Sequence, residues 1–316
     1  MSKQCLVCYD PLQATESGYH RACAQALFGT TQIPKPDFTL ADVEHIASQE
    51  INARLSITGV QRKLSLGIIK HKGGPRLTFV NLWGQFVFKP PSADFGQLPE
   101  NEALTMQLAR ICGIETAEHG LIAFEGGTKA YISRRFDRVN QGQQLIKLHQ
   151  EDLCQLTGKL TDGKYFSSTE KVARTVYTHV DNKANDVLRL FELILFCFIT
   201  GNSDMHLKNF SLYTTMEGVL TLTPAYDLVS VPLALPADLE ELALTVDGKK
   251  SKLSWKNFLA FGRGAKLNEK AIQNARDRLA SKHSEMNKKI AQSFLTPDLQ
   301  KKYRDLIQSR LKRLVG

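Results

Sequence analysis

No apolar run in the chain approaches the ~18 residues that a membrane-spanning helix needs. The densest apolar segment, residues 188–200, is interrupted by Arg189 and Glu192 and reads as a buried core helix. Met1-Ser2-Lys3-Gln4-Cys5 offers no apolar core of a signal peptide. These absences speak against membrane insertion and export and predict a cytoplasmic protein. In that compartment the 6 cysteines are expected to be reduced or metal-bound rather than paired as disulfides. Internal repeats and low-complexity tracts are absent too. Lys+Arg number 41 against 32 Asp+Glu, a net charge of +9, with clusters at Lys249-Lys250, Lys288-Lys289 and Lys301-Lys302. Scattered lysines read first as a solvated surface, and second as attraction to nucleic acid or a nucleic-acid-bound partner. Without an aromatic-interleaved basic strip or a helix-turn-helix signature, direct DNA binding is not expected.

What is present fits an ordinary globular protein, 42% hydrophobic and 23% charged, whose 316 residues suffice for one large core or two lobes. A short head with cysteines ends at Pro34-Lys35-Pro36. Strand-like segments follow at 63–69, 76–82 and 85–89, stopped by Pro90-Pro91. A helix is predicted from about Glu100 to Cys112 with Gly113 at its C-terminal end, then strands at 119–124 and 129–133. Beyond residue 150 helical patterns dominate: 169–180 behind the Ser167-Ser168 N-cap, 185–200, and two charged stretches at 268–292 and 297–314. A hairpin is expected over 210–223, around Met216-Glu217-Gly218. The predicted organisation is therefore a head (1–36), a small β-rich N-lobe (37–135) and a larger helical C-lobe (136–316), an α+β fold of the two-lobed protein-kinase kind.

The most informative stretch is Gly201-Asn202-Ser203-Asp204-Met205-His206-Leu207-Lys208-Asn209-Phe210, followed by Ala225-Tyr226-Asp227-Leu228. It places an Asp, an Asn on the same loop, and a second Asp beyond a hairpin. Phosphoryl transfer uses that spacing: one carboxylate accepts the hydroxyl proton, while the Asn and second carboxylate hold Mg²⁺ against ATP phosphates. Asp204 is the candidate base, Asn209 and Asp227 the metal ligands, and Lys208 a candidate for neutralising the transferring phosphoryl group. A turn Asp bonding its own backbone and a surface lysine are the plain alternatives. His206 reads as a loop-packing residue. Lys89, ending Phe86-Val87-Phe88-Lys89, suits an α/β-phosphate contact, with Glu100 or, preferably, Glu102 as its partner; a lysine protecting a strand edge is the other reading. The segment Leu55-Ser56-Ile57-Thr58-Gly59-Val60-Gln61-Arg62-Lys63 has one glycine and is no G-x-G-x-x-G loop, yet its backbone N–H groups could form an anion nest. Phosphorylation of either hydroxyl would put about −2 charges where ATP phosphates must sit.

Ser-Ile-Thr-Gly-Val-Gln-Arg-Lys resembles the loop of HipA-type serine/threonine kinases, the toxins of bacterial toxin–antitoxin modules. The similarity continues through Asn101-Glu102, Arg135-Phe136-Asp137-Arg138, 150–155, 201–210 and 222–230, in order along the chain. By position the resemblance implies Asp204 as base, Asn209 and Asp227 as Mg²⁺ ligands, and Lys89 on ATP. It also implies Phe136 against adenine, with Ser56, Ile57, Thr58 and Gly59 in the phosphate loop. Ser56 would be the autophosphorylation site, and Thr58 looks like the second hydroxyl of shorter, HipT-like relatives. Arg134 stands where longer relatives carry a hinge Glu. With 55 residues before Ser56, the chain resembles the short form, in which a separate small protein supplies an N-terminal subdomain and a helix-turn-helix antitoxin completes the module. DNA contact would then be indirect, and the implied substrate class is an aminoacyl-tRNA synthetase, whose modification halts translation. An ATP-binding regulatory scaffold with little transfer activity is the alternative reading.

Cys5-Leu6-Val7-Cys8 and His20-Arg21-Ala22-Cys23 have the spacing of two metal half-sites. A tetrahedral Zn²⁺ could staple a head too small to fold alone. The competing reading makes Cys5 and Cys8 packing residues and His20 a surface residue. Cys112, Cys154 and Cys197 sit in apolar helical contexts and read as core.

Overall fold

The structure, a computed structural model, describes residues 3–49, 63–80, 83–92, 94–142 and 144–315. The chain divides into two compact units. The first comprises residues 1–103, 117–136 and 292–294, the second 104–116, 137–291 and 295–316.

The first unit is built on a six-stranded sheet. In chain order it holds α1 (Arg21–Phe28), β1 (Lys35–Pro36), α2 (Leu40–Gln49), β2 (Leu64–Ile69), β3 (Arg76–Phe79) and β4 (Phe86–Lys89). Then come α3 (Leu98–Ile111), of which residues up to Ala103 belong here, β5 (His119–Ala123) and β6 (Lys129–Arg134). The strand order is β1-β3-β2-β4-β6-β5, antiparallel except for the short β1–β3 pair. Period-two alternation sets the two faces. Leu64 pairs with Phe88 and Phe88 with Ile132, a row of buried side chains across three strands. Phe38 extends that core, 4.2 Å from Phe79 and 5.6 Å from Phe88 between ring centres. Val87 and Lys89 alternate to the opposite face. The head runs along the sheet's edge strand β5, where the Leu121 N–H donates to the Leu6 carbonyl at 2.9 Å and the Tyr19 hydroxyl donates to the Leu121 carbonyl at 2.6 Å. Gly120 permits this approach: a Cβ there would meet Val7 Cγ2 at 2.8 Å and the Leu6 carbonyl at 3.2 Å.

The second unit is mainly helical. It contains the hairpin β7 (Arg138–Gln141) and β8 (Gln144–Lys147), then β9 (Gln150–Asp152), α4 (Leu153–Leu156), α5 (Thr169–His179) and α6 (Lys183–Thr200). These are followed by β10 (Ser211–Thr214), β11 (Leu220–Leu222), α7 (Val231–Ala234), α8 (Trp255–Gly264), α9 (Glu269–Ser281), α10 (His283–Gln292) and α11 (Pro297–Val315). Helix α6 is its centre: Leu190, Phe191, Leu195, Phe196, Cys197 and Phe198 are fully buried. Phe191 stacks on Phe261 at 5.7 Å, and Phe198 lies 5.0 Å from Phe258. The expected single helix over 268–292 is two. At the break the Lys282 N–H shifts to the Ala280 and Leu279 carbonyls, and the Ser281 hydroxyl bonds the Arg278 carbonyl, a side-chain competitor for the helix ladder. Helix α8, outside the stretches predicted as helical, starts at a Ser254–Asn257 capping box. Among the described residues no helix is long and apolar enough to cross a membrane.

Candidate active site and the cysteine head

In the first unit, Lys89 ends β4 with its ammonium 2.6 Å from Glu102 Oε1 on α3; the side chains are only 3% and 1% exposed. The Lys89 Nζ also lies 5.3 Å from the Tyr131 ring centre. Glu100, the other candidate partner, stands 3.9 Å from Lys129 instead, and burial raises its carboxyl pKa. A buried ion pair gains little net stability, because both charges lose their water. Its worth lies in holding an ammonium at a fixed point. Phe136 is half-buried in the turn after β6, where the Arg135 N–H donates to the Gln85 carbonyl at 2.8 Å. Arg134 points its guanidinium at the Ala26 carbonyl, 3.3 Å away. Ser56, Ile57, Thr58 and Gly59 lie outside the described residues.

In the second unit, α6 delivers the chain into the 201–210 loop. Gly201 caps the helix at φ 72°, and a Cβ there would meet Leu306 Cδ2 at 2.9 Å and Pro232 Cδ at 3.1 Å. A left-handed residue with no side chain turns the chain sharply out of the helix. The loop is then held by side chains bonding its own backbone. The Asp204 N–H donates to Asn202 Oδ1 at 3.2 Å, and Asn209 Nδ2 donates to the Asp204 carbonyl at 3.0 Å. With its NH₂ donating to that carbonyl, the Asn209 side chain has its amide oxygen as an acceptor. The Asp204 carboxylate is 49% exposed. Its Oδ1 accepts a 2.6 Å hydrogen bond from the Tyr165 hydroxyl. Burial and then the bond to Asp204 push the Tyr165 pKa up, so this phenol stays a donor.

Asp227 follows the β10–β11 hairpin in the left-handed region, φ 60°, half-buried. Its neighbour Tyr226 fixes the junction: the phenol oxygen is 2.6 Å from the Ser211 hydroxyl at the start of β10 and donates to the Lys208 carbonyl at 3.0 Å. Lys208 itself is half-exposed. His206 is buried, with Nε2 3.9 Å from Asp204 Oδ1 and its ring edge-on to Tyr165 at 5.0 Å. Burial lowers its pKa, opposed by Asp204 and, more weakly, by Asp227, so both carboxylates lie within electrostatic reach of one imidazole. Residue spacing alone does not point to Tyr165, Asn202 or Tyr131. Tyr165 comes from the loop before α5, and no local pattern marks it.

In the head the structure brings Cys5, Cys8, His20 and Cys23 together, with all four ligand atoms within 4.8 Å of one another. Among the described residues no cysteine forms a disulfide, and Cys112, Cys154 and Cys197 are buried in the second unit.

A loop that follows a buried helix and carries an exposed carboxylate and an amide side chain, and a strand lysine held by a helix glutamate, fit the protein-kinase-like class. Residues 55–290 match the HipA-like C-terminal domain family, and the chain belongs to it. A Haemophilus influenzae protein named as a candidate kinase is 30% identical over 268 residues, 76% of each chain. The candidate kinase Y4dM of Sinorhizobium fredii is 30% identical over 245 residues, 73% of this chain and 59% of its own. The serine/threonine-protein kinase toxin HipA of Shewanella oneidensis is 32% identical over 217 residues, 61% of this chain and 47% of its own. The chain thus spans about half to three quarters of these relatives. The solved Shewanella HipA, in complex with HipB and operator DNA, superposes with a TM-score of 0.71 at 25% identity, covering 89% of this chain and 72% of that one. The Helicobacter pylori proinflammatory kinase CtkA shares the fold, with a TM-score of 0.56 at 14% identity over 83% of this chain and 92% of its own.

Proposed function

We propose that the chain is an ATP- and Mg²⁺-dependent protein serine/threonine kinase acting as the toxin of a toxin–antitoxin module. The observation that carries this reading is the Asp204 loop, whose side-chain hydrogen bonds present one half-exposed carboxylate and one amide oxygen from a rigid turn. Asp204 accepts the proton of a substrate hydroxyl as its oxygen attacks the γ-phosphorus and the bond to the β-phosphate oxygen breaks, releasing ADP. Asn209 and Asp227 supply the oxygen donors that suit Mg²⁺, which when bound neutralises phosphate charge. Lys89, steadied by Glu102, holds the α/β-phosphates, and Phe136 lies against adenine. Lys208 offsets charge on the transferring group. Ser56 and Thr58 are the proposed autophosphorylation sites. The proposed substrate is an aminoacyl-tRNA synthetase. The proposed partners are a helix-turn-helix antitoxin, through which any DNA contact passes, and a small protein resembling the family's N-terminal subdomain.

The test is transfer from γ-labelled ATP by the purified chain, alone and in a cell lysate, with and without Mg²⁺. Wild type is expected to label protein and Asp204→Asn to fail. ATP binding without any transfer would replace this reading with the regulatory scaffold.

A further inference from the structure

Cys5, Cys8, His20 and Cys23 form a cluster in the first unit that phosphoryl transfer does not use. Two are brought together by the turn at Cys5–Cys8, the other two by the start of α1. The turn is tightly made. The Cys5 N–H donates to the Asp10 carbonyl at 2.9 Å, and the Tyr9 N–H returns to the Cys5 carbonyl at 3.0 Å. Tyr9 takes the left-handed region at φ 67°, which bends the chain back directly after the second cysteine. At the other half-site His20 is the N-cap of α1 and Cys23 lies in its first turn, three residues on, so both side chains share one side.

The imidazole settles which atom faces the cluster. His20 Nε2 lies 3.0 Å from the Pro11 carbonyl. A carbonyl can only accept, so in the neutral ring Nε2 carries the hydrogen and Nδ1 keeps its lone pair. That Nδ1 is 3.3 Å from Cys8 Sγ and 3.9 Å from Cys23 Sγ. A ring nitrogen aimed at thiols, with its other N–H tied to a main-chain carbonyl, is the arrangement metal-ligating histidines adopt. Distances agree in scale. Ligands about 2.3 Å from a tetrahedral Zn²⁺ stand about 3.8 Å apart, against an upper limit of 4.8 Å within this quartet.

We infer that the head is a structural zinc site, Cys5, Cys8 and Cys23 as thiolates and His20 through Nδ1, which clamps the edge of the six-stranded sheet. On binding, the three thiols release their protons to solvent, and four metal–ligand bonds form with no change in oxidation state. Four protein ligands close the coordination sphere, so the site has no open position for chemistry. Its effect is mechanical. Leu6, between the two knuckle cysteines, is the residue whose carbonyl accepts from Leu121 on β5, and Tyr19, adjacent to His20, is the one whose hydroxyl bonds the Leu121 carbonyl. Each half-site therefore hands one hydrogen bond to the same edge residue, and the metal ties the two half-sites to each other. An unpaired edge strand invites pairing with other chains, and this head covers it.

The experiment is elemental analysis of the full chain purified without a metal-binding tag, then replacement of the metal by Co²⁺ and visible spectroscopy. One zinc per chain is expected. The cobalt form should show the ligand-field and sulfur-to-metal bands of a tetrahedral thiolate site, a readout on the unmutated chain. Cys8→Ser/Cys23→Ser should lose the equivalent of zinc. The inference is overturned if wild type, reduced and offered Zn²⁺ or Co²⁺, takes up neither. It is overturned equally if the bound metal is iron, or if the double variant keeps its full equivalent of zinc.

Discussion

The cysteine head and the Asp204 loop are both irregular segments that must hold a few side chains in place, and they do so by opposite means. The head points four side chains inward at one spot, their ligand atoms within 4.8 Å of one another. The Asp204 loop turns its side chains on its own backbone, through Asn202 and Asn209, and leaves the Asp204 carboxylate half-exposed. With zinc bound, one region would use up its reactive groups to gain rigidity. The other obtains rigidity from amides and keeps its reactive group available. A segment's chemistry therefore depends on which side chains its fold leaves uncommitted.

The contrast can be tested by changing one region and watching the other. The largest effect is expected for Asp204→Asn, which keeps the backbone bonds of the loop while removing the proton acceptor. Transfer should fall by about 10²–10⁴-fold, with metal content and thermal midpoint unchanged; a fall in midpoint would mean that the carboxylate also holds the loop. Glu102→Gln comes next. It strips the counter-charge from a Lys89 that is 3% exposed, and a buried charge left without its partner costs about 3–5 kcal/mol by chemical denaturation. Lys89→Met/Glu102→Leu should recover most of that stability but not activity, which separates the pair's positioning task from any stabilising one.

A smaller change is expected for Tyr165→Phe, which removes the 2.6 Å hydrogen bond to Asp204. One hydrogen bond of about 1–1.5 kcal/mol corresponds to a roughly tenfold loss in transfer rate, at an unchanged KM for ATP. The smallest effect is a pH dependence of stability. Burial lowers the His206 pKa in the folded chain, so below about 6.5 the unfolded chain binds the extra proton more readily. Stability should therefore fall as pH drops below that value, and His206→Gln should flatten the slope; an unaltered slope would assign it to other groups.

Short-range features were the legible ones. Asp204 and Asn209 lie on one loop, so their spacing along the chain translates directly into neighbourhood, and the same holds for each Cys/His half-site. Helices α5 and α6 declared themselves through the Ser168 N-cap and the apolar density before Gly201. The pairing of Lys89 with Glu102 rather than Glu100 was a preference at sequence level; helix phase decides it, because neighbouring positions two apart face different directions. Tyr165 was illegible because its bond to Asp204 crosses 39 residues of chain. The break at Lys282 was hidden as well, since Ile272, Ala275, Leu279, Met286 and Ile290 keep one apolar stripe through both helices.

The phenol of Tyr226 makes a caliper of the β10–β11 hairpin. Its jaws are the Ser211 hydroxyl and the Lys208 carbonyl on one side and Asp227 on the other, set by one oxygen atom. Its handle is the exposed tip around Met216-Glu217-Gly218, far along the strands from that grip. The handle can lengthen or shorten by whole paired residues without moving the jaws. A single-residue slip in β11 would instead turn every side chain of that strand to the other face and carry Asp227 out of reach. The reach of this hairpin can thus vary without consequence for the site, but its gauge cannot.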